Sequence, residues 1–295
     1  KSESVSGRRF LPGALSYSYR REGGFMVKRT SPEPTAVQRD AAVQAQYKTT
    51  QNLDIRISIH AKYSTNRQGF GNWIFSHYDL PADAEILELG CGTGSMWKER
   101  LPLPESGTHL LLTDFSEGML ASARTLLGEH QNLSYAVMDI QDIPCESGRF
   151  GRVIANMMLY HVPDLDKGLS EVKRVLADDG VFYCATYGEN GIVPYIAGLL
   201  KDYGVIDKSN KVFTLQNGED ILRRHFSDVQ RYDYEDSLAV TDLDDLLDYL
   251  GSLISGTFSE VLSDRETVKQ VLKKEMVNGV LHIPKENGMF ICRKK

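Results

Sequence analysis

Short apolar runs alternate with stretches whose apolar positions recur every three or four residues between about residue 85 and residue 187. EILELG, HLLLTD (His109 to Asp114), LSYAVMD, GRVIANMML and VFYCATY read as five strands. SEGMLASARTLLG and LDKGLSEVKRVLADDG read as helices, and in the second Leu165, Leu169, Val172 and Leu176 share one face. A further helix is expected to begin after the first strand, from Gly94 to Arg100. Ser116 is placed to cap its helix and Gly128 to stop it. Strands alternating with amphipathic helices predict a parallel sheet covered on both faces.

The flanks follow other rhythms. Residues from about Val37 to Lys62 read mainly as helix, with Leu53, Ile57, His60 and Ala61 on one face; Ile55, Ile57 and Ile59 also alternate, so a strand competes there. Asn72 is expected to cap a short helix through Trp73, Ile74 and Phe75, and Pro81 to end that unit. Beyond Tyr187 the alternation breaks into helical and irregular chain up to about residue 225, followed by a strand in FSDVQRYDYED. Thr241 opens a strong helix with Leu243, Leu246, Leu247, Leu250, Leu253 and Ile254 in one stripe. SDRE, from Ser263 to Glu266, reads as a capping box for the next helix. VLHIPKENGMFICRKK reads as two short strands around a turn at Glu286 to Gly288.

With 295 residues, 41% of them hydrophobic, the chain can build a sizeable core. It has no apolar run long enough to span a bilayer. Cys91, Cys145, Cys184 and Cys292 are scattered, which suggests neither a metal site nor a disulfide framework and points to a reducing, cytoplasmic setting. A net charge of −6 argues against nucleic acid as a partner. The Arg-, Ser- and Gly-rich opening and the SPEPT segment make residues 1–36 a leader and linker, with Met26 as the expected natural start.

The chemistry concentrates where the first strand ends. In ELGCGTG three glycines alternate, Gly90, Gly92 and Gly94. Glycine permits positive φ and lets a ligand approach bare backbone, and ligands of open α/β sheets sit at these carboxyl ends. The G-x-G-x-G spacing departs from the dinucleotide fingerprint G-x-G-x-x-G. Glu88 inside the strand suits a ligand carrying positive charge better than a pyrophosphate. Asp114 ends the second strand, where a carboxylate can accept from both hydroxyls of a ribose. Asp139 ends the third, where it can accept from an exocyclic amine while the Ile140 N–H serves a ring nitrogen; Asp142 is a nearby rival.

ELGCGTG, TDFSEGML, MDIQDIP and VIANMMLYHV, in this order, resemble class I S-adenosylmethionine-dependent methyltransferases, most closely the small-molecule branch that includes quinone-biosynthesis enzymes. The resemblance covers residues from about 47 to 187. It implies an α/β fold: a Rossmann-like, doubly wound, mostly parallel seven-stranded sheet with a terminal antiparallel hairpin and a helical insertion or lid. It also implies S-adenosylmethionine as cofactor and S-adenosylhomocysteine as product. Gly90, Gly92 and Gly94 would contact the methionine part with Glu88 nearby. Asp114 would hold the ribose, Phe115 flank the adenine, Asp139 and Ile140 read its edge, and Asn156 face the reacting end. Enzymes that methylate nucleic-acid bases carry an Asn/Asp-Pro-Pro-aromatic motif after the fourth strand; NMMLYHV stands there instead, which disfavours amino groups of bases as acceptors.

On this basis residues 37–295 form one methyltransferase domain acting on a small-molecule acceptor. It comprises a helical cap (37–80), a cofactor-binding core (81–187), a helical insertion with one strand (188–278) and the terminal hairpin (279–295). His161, just past the fourth strand, is the candidate base or acceptor-orienting group, with a histidine bonded to backbone as the rival reading. Tyr63, in YSTNRQGFGNW with Arg67, Phe70 and Trp73, is the candidate cofactor or substrate contact from the cap, where Arg67 can bind a carboxylate. The competing functional class is a cofactor-binding sensor or interaction module without methyl transfer.

Overall fold

The computed structural model describes residues 18–22, 25–29, 52, 54–101, 107–253 and 255–294. The linker SPEPT, residues 37–51 and 53 of the helix expected from Val37 to Lys62, and the stripe residue Ile254 lie outside the described residues. Within the expected leader, β1 (Ser18–Glu22) pairs antiparallel with β2 (Phe25–Arg29).

A seven-stranded sheet organises the rest. Its strands are β3 (Glu85–Leu89), β4 (His109–Asp114), β5 (Leu133–Val137), β6 (Phe150–Asn156), β7 (Leu176–Tyr187), β8 (Asp228–Val240) and β9 (Leu281–Arg293), in the order β5-β4-β3-β6-β7-β9-β8. The first five are parallel, and β9 runs antiparallel between β7 and β8. Chain order reverses between β3 and β6, so a crevice opens beyond their carboxyl ends.

Both faces are buried, which is why the parallel strands are nearly uninterrupted apolar runs. On one face Leu87, Leu111, Val153 and Phe182 pack with Leu169 and Val172 of α4 (Leu165–Val175) and Leu222 of α6 (Gly218–Leu222). On the other, Ile86, Leu110, Ile154 and Tyr183 pack with Ile74 of α2 (Phe70–Ser76), Leu127 of α3 (Glu117–Leu127) and Trp97. The Ser116 hydroxyl accepts from Met119 N–H at 3.3 Å, and Gly128 closes α3 at φ 73°.

A third core explains the insertion. Past the last β7 pair, Tyr187 with Asn287, strands β8 and β9 remain paired from Glu235–Glu286 out to Val240–Leu281. This arm projects about 20 Å beyond the crevice end of the sheet. Leu238, Val240, Leu281 and Ile283 on it pack with Ile59 of α1 (residues 54–63) and Ile196 of α5 (Ile192–Leu199). The same core takes Leu243, Leu246, Leu247 and Leu250 of α7 (Leu243–Gly251) and Val268 and Leu272 of α8 (Arg265–Lys274). The stripe on α7 is therefore core, as its spacing predicts. At the root of the arm, Asp236 and Lys285 form a buried ion pair that also binds the Ser64 hydroxyl, while Asn66 N–H donates to Asp236 at 2.9 Å.

Several local expectations are corrected. Residues 54–63 are helical, so the strand reading fails. The helix after the glycine loop shrinks to one tight turn, Ser95–Trp97, because the Trp97 ring turns into the core and Pro102 lies close ahead. The short cap helix begins at Phe70 behind Gly69 at φ 76°, and the Asn72 amide donates back to the Gln68 carbonyl at 2.9 Å instead of capping. Asp264, one residue beyond Ser263, caps α8 by accepting from Thr267 N–H at 3.1 Å. Helix α4 ends at Val175, before Gly180, and strand β7 starts at Leu176. The expected terminal hairpin is one continuous strand: the antiparallel pair is β9 with β8, and no turn occurs at Glu286 to Gly288. Gly288 serves close approach rather than a turn, since a Cβ there would lie 2.4 Å from the Tyr232 carbonyl oxygen. Pro284 pairs with Ser237 on a stretch that has left β7 behind, where a missing N–H costs no ladder bond on that side.

Candidate active site

The three loop glycines all have positive φ (69° at Gly90, 57° at Gly92 and 72° at Gly94), but they serve different ends. A Cβ on Gly94 would meet Leu127 Cδ1 at 2.7 Å, so this glycine lets the loop seat on α3. A Cβ on Gly90 would lie 2.9 Å from the Met158 side chain. A Cβ on Gly92 would meet nothing within 4 Å, leaving its backbone facing open space over the crevice. Gly92 N–H donates to Asp114 Oδ2 at 2.9 Å, and Ser116 N–H to Asp114 Oδ1 at 2.8 Å. Asp114 thus fixes the loop on the turn leaving β4. The next residue, Phe115, holds its ring 77% exposed, an apolar surface with room for a flat partner.

Beneath the loop lies Glu88, which is 3% exposed and accepts from the Trp97 indole N–H at 2.5 Å. Burial pushes its carboxyl up to about 7, with the Asp114 charge adding to the rise and the Trp97 bond opposing it. A buried acid with one donor calls for a cation or further donors. Asn156, at the end of β6, donates its amide to the Tyr78 hydroxyl at 2.6 Å, while its buried Oδ1 accepts from no group among the described residues. Burial holds the Tyr78 phenol well above its ordinary range, and the nearby Glu88 charge acts in the same direction. Met157, directly after Asn156, has φ 54°, a strained conformation for a side-chain-bearing residue at the mouth of the crevice. At the end of β5, Asp139 accepts from Gln141 N–H at 2.8 Å; Ile140 buries its side chain against α4 while its backbone stays in the same turn. Asp142 bonds back to Asp139 through its own N–H at 3.0 Å.

The carboxyl ends of β3, β4, β5 and β6 therefore bring together Glu88, Gly90, Gly92, Gly94, Asp114, Phe115, Asp139, Ile140 and Asn156, as the sequence pattern requires. The donor set fits a ligand with a positive end over Glu88 and Asn156 and a polyhydroxyl middle at Asp114. Its flat end would lie between Phe115 and Asp139. Sequence reasoning missed Trp97 and Tyr78. Trp97 was within reach, being the one indole in the glycine-loop segment; nothing local marks Tyr78.

A family model for a methyltransferase domain matches residues 87–184. Over 213 residues the chain is 28% identical to malonyl-[acyl-carrier protein] O-methyltransferase of Geobacter sulfurreducens, covering 68% of this chain and 79% of that enzyme. Over 99 residues it is 35% identical to demethylmenaquinone methyltransferase of Clavibacter sepedonicus, covering 34% of this chain and 39% of the other. The chain is a class I S-adenosylmethionine-dependent methyltransferase of the small-molecule branch. The fold of this methyltransferase is shared with phosphoethanolamine N-methyltransferase 2 of Haemonchus contortus, solved with S-adenosyl-L-methionine. The TM-score is 0.52 at 18% identity, over 91% of this chain and 62% of that one.

The two residues expected to act on the acceptor make contacts of their own. His161 ends a tight turn, Leu159–His161, after β6. It is exposed, its ring packs on Tyr160 at 4.5 Å, and partial desolvation and then Arg56 hold its pKa below the ordinary value. The methyltransferase's Tyr63 donates its hydroxyl to Asp245 of α7 at 2.6 Å, and Lys62 binds the same carboxylate at 2.8 Å. Tyr63 is thereby tied to the lid core. Phe70 and Trp73, both on α2, stack at 5.8 Å and pack on Tyr234, so they serve the core.

Proposed function

We propose that this methyltransferase acts on a small-molecule acceptor held between the loop after β6 and the lid, with the nine crevice residues holding S-adenosylmethionine. When bound, the cofactor supplies a methyl group on sulfonium sulfur, already activated for in-line displacement. The protein's contribution is then alignment and exclusion of water. Gly92 and its neighbours offer bare backbone to the methionine part. Glu88, ionised, balances the ammonium, and the Asn156 Oδ1 gains the donor it lacks. Asp114 accepts from the ribose hydroxyls, Phe115 covers the adenine, and Asp139 with the Ile140 N–H reads its edge. His161, neutral at pH 7, stands where an acceptor proton would be taken up. Tyr63 acts by anchoring α1 to α7. No helix among the described residues is long and apolar enough to cross a membrane. The overall acidity and the four free cysteines support a cytoplasmic enzyme that does not act on nucleic acid.

The observation that carries the reading is the Gly92–Asp114 bond at 2.9 Å beneath open space. Calorimetry with S-adenosylhomocysteine, with NAD as control, tests it. Micromolar binding of the first and none of the second is expected, followed by methyl transfer from labelled cofactor in an acceptor screen. Failure of the parent protein to bind S-adenosylhomocysteine would overturn the assignment of the crevice.

A further inference from the structure

The lid and the loop after β6 each contribute to a second group of side chains that the cofactor residues do not use. From the core come Tyr160, His161 and Tyr187, with the Tyr160 ring 4.5 Å from His161 and 4.7 Å from Tyr187. From the lid comes Tyr249 of α7, whose ring meets His60 edge-on at 5.9 Å. Asn210 fastens the outer wall: its amide donates to the Tyr160 carbonyl at 2.5 Å, and its carbonyl accepts from the Tyr187 hydroxyl at 2.5 Å. Arg56 joins this group from α1, one turn before His60 on the same helix face. It donates through Nη1 to the Ser252 carbonyl at 3.1 Å.

Three observations bear on what Arg56 is for. Its guanidinium binds the chain just past α7 through Ser252, beside the His60–Tyr249 contact, which sets it against the lid wall, and its charge also acts on Tyr160 and His161 of the core wall. The neighbouring cation Lys62 is neutralised by Asp245, whereas Arg56 joins no carboxylate among the described residues. Finally, the His60 Nδ1 is buried without a partner among the described residues, so polar capacity on this face of α1 is unspent. His60 is held down to about 4, first by burial and then by Lys285, and His161 is also lowered, so both rings are neutral at pH 7. Asp207, whose charge acts on Tyr187, is itself paired with Lys211 at 3.6 Å, so among the described residues Arg56 is the cation of this group without a carboxylate, and a guanidinium fork is shaped for a planar carboxylate.

Resting on the methyltransferase reading above, we infer that Arg56 is the acceptor-binding residue of this enzyme and that its acceptor is a monoanion bearing a carboxylate on an apolar or aromatic frame. Arg56 draws the carboxylate in between core and lid, and the tyrosines pack the frame. Its charge-assisted bonds amount to roughly a tenfold or greater contribution to affinity.

The test uses the full chain saturated with S-adenosylhomocysteine and follows benzoate, with benzamide as its uncharged isostere, by ligand-observed NMR at millimolar concentration. The parent is expected to bind benzoate about tenfold or more tightly than benzamide. Arg56→Gln is expected to lose that preference, and Arg56→Lys to keep most of it. Equal binding of the two probes, absence of benzoate binding, or an unchanged preference in Arg56→Gln overturns the inference. S-adenosylhomocysteine affinity, measured on each sample, separates the cases. Parental affinity in both variants shows that the fold and the cofactor crevice are intact, while loss in the parent itself is failure of the underlying reading.

Discussion

Gly92 and Asp114 are joined by a 2.9 Å hydrogen bond from the loop N–H to the carboxylate, and the other oxygen of Asp114 accepts from Ser116. One side chain thus sets the glycine loop against the turn after β4 and faces the proposed ribose position. Asp114→Ala removes both functions. It is expected to weaken S-adenosylhomocysteine binding by at least about tenfold, equivalent to about 1.4 kcal/mol. Asp114→Asn, which keeps one acceptor, should fall between the two. Calorimetry on the three proteins checks the order.

Gly92 and Gly94 make a contrasting pair. Both have positive φ, so an alanine at either costs about 1–2 kcal/mol of backbone strain. Gly94→Ala adds a clash with Leu127 and Ala123, worth roughly another 1–3 kcal/mol of overpacking. Gly92→Ala has no such neighbour among the described residues. Thermal unfolding is therefore expected to show the larger loss of stability for Gly94→Ala. S-adenosylhomocysteine titration is expected to show the larger loss of affinity, relative to stability, for Gly92→Ala. A reversed order would remove Gly92 from the ligand surface.

Glu88 gives the site a pH dependence of definite sign. Burial raises its carboxyl from 4.5 to about 7, so between those values the folded protein holds a proton that the unfolded chain has released. That contribution to stability is whole below pH 4.5 and is lost as pH rises through about 7. At about 1.4 kcal/mol per pKa unit the full change is on the order of 3 kcal/mol. A ligand ammonium favours the ionised form, so binding is expected to release a proton below pH 7. Calorimetry at pH 6 in buffers of different ionisation enthalpy should show this release, and Glu88→Gln should abolish it while flattening the loss of stability above pH 5.

Asp236 and Lys285 bind the root of the β8–β9 arm to the loop after α1, and both side chains are shut away from water. Lys285→Met leaves a buried carboxylate without its cation and is expected to cost about 3–5 kcal/mol. Adding Asp236→Asn removes the stranded charge and should restore a substantial part of the loss. Denaturant melts of the single and double variants measure the coupling, and additive costs would show that the two do not act as a pair.

The sequence by itself determined the parts of this protein that depend on local chemistry. Apolar runs alternating with 3.6-residue periodicity specify a covered parallel sheet, because a strand buried on both faces admits few polar residues. The glycines at 90, 92 and 94 and the acids at 88, 114 and 139 lie at strand ends that succeed one another along the chain, and a parallel sheet brings successive carboxyl ends to one edge. Ser116 and Gly128 declare the ends of α3 within a few residues of themselves.

What only the tertiary structure decided involves partners distant in the chain. Gly288 resembles a turn residue until the backbone of Tyr232 is placed against it, so the last strand was divided in two by its own composition. Gly94 and Trp97 begin a helical pattern that stops after one turn, because the indole is taken by Glu88, nine residues back. Tyr78 reaches Asn156 across 78 residues, and Arg56 reaches Ser252 across 196. No periodicity encodes such pairs. The first exists because the chain after α2 packs on the central strands and the second because the β8–β9 arm carries the lid to α1, and burial makes such hydrogen bonds worth more than a local preference of the chain.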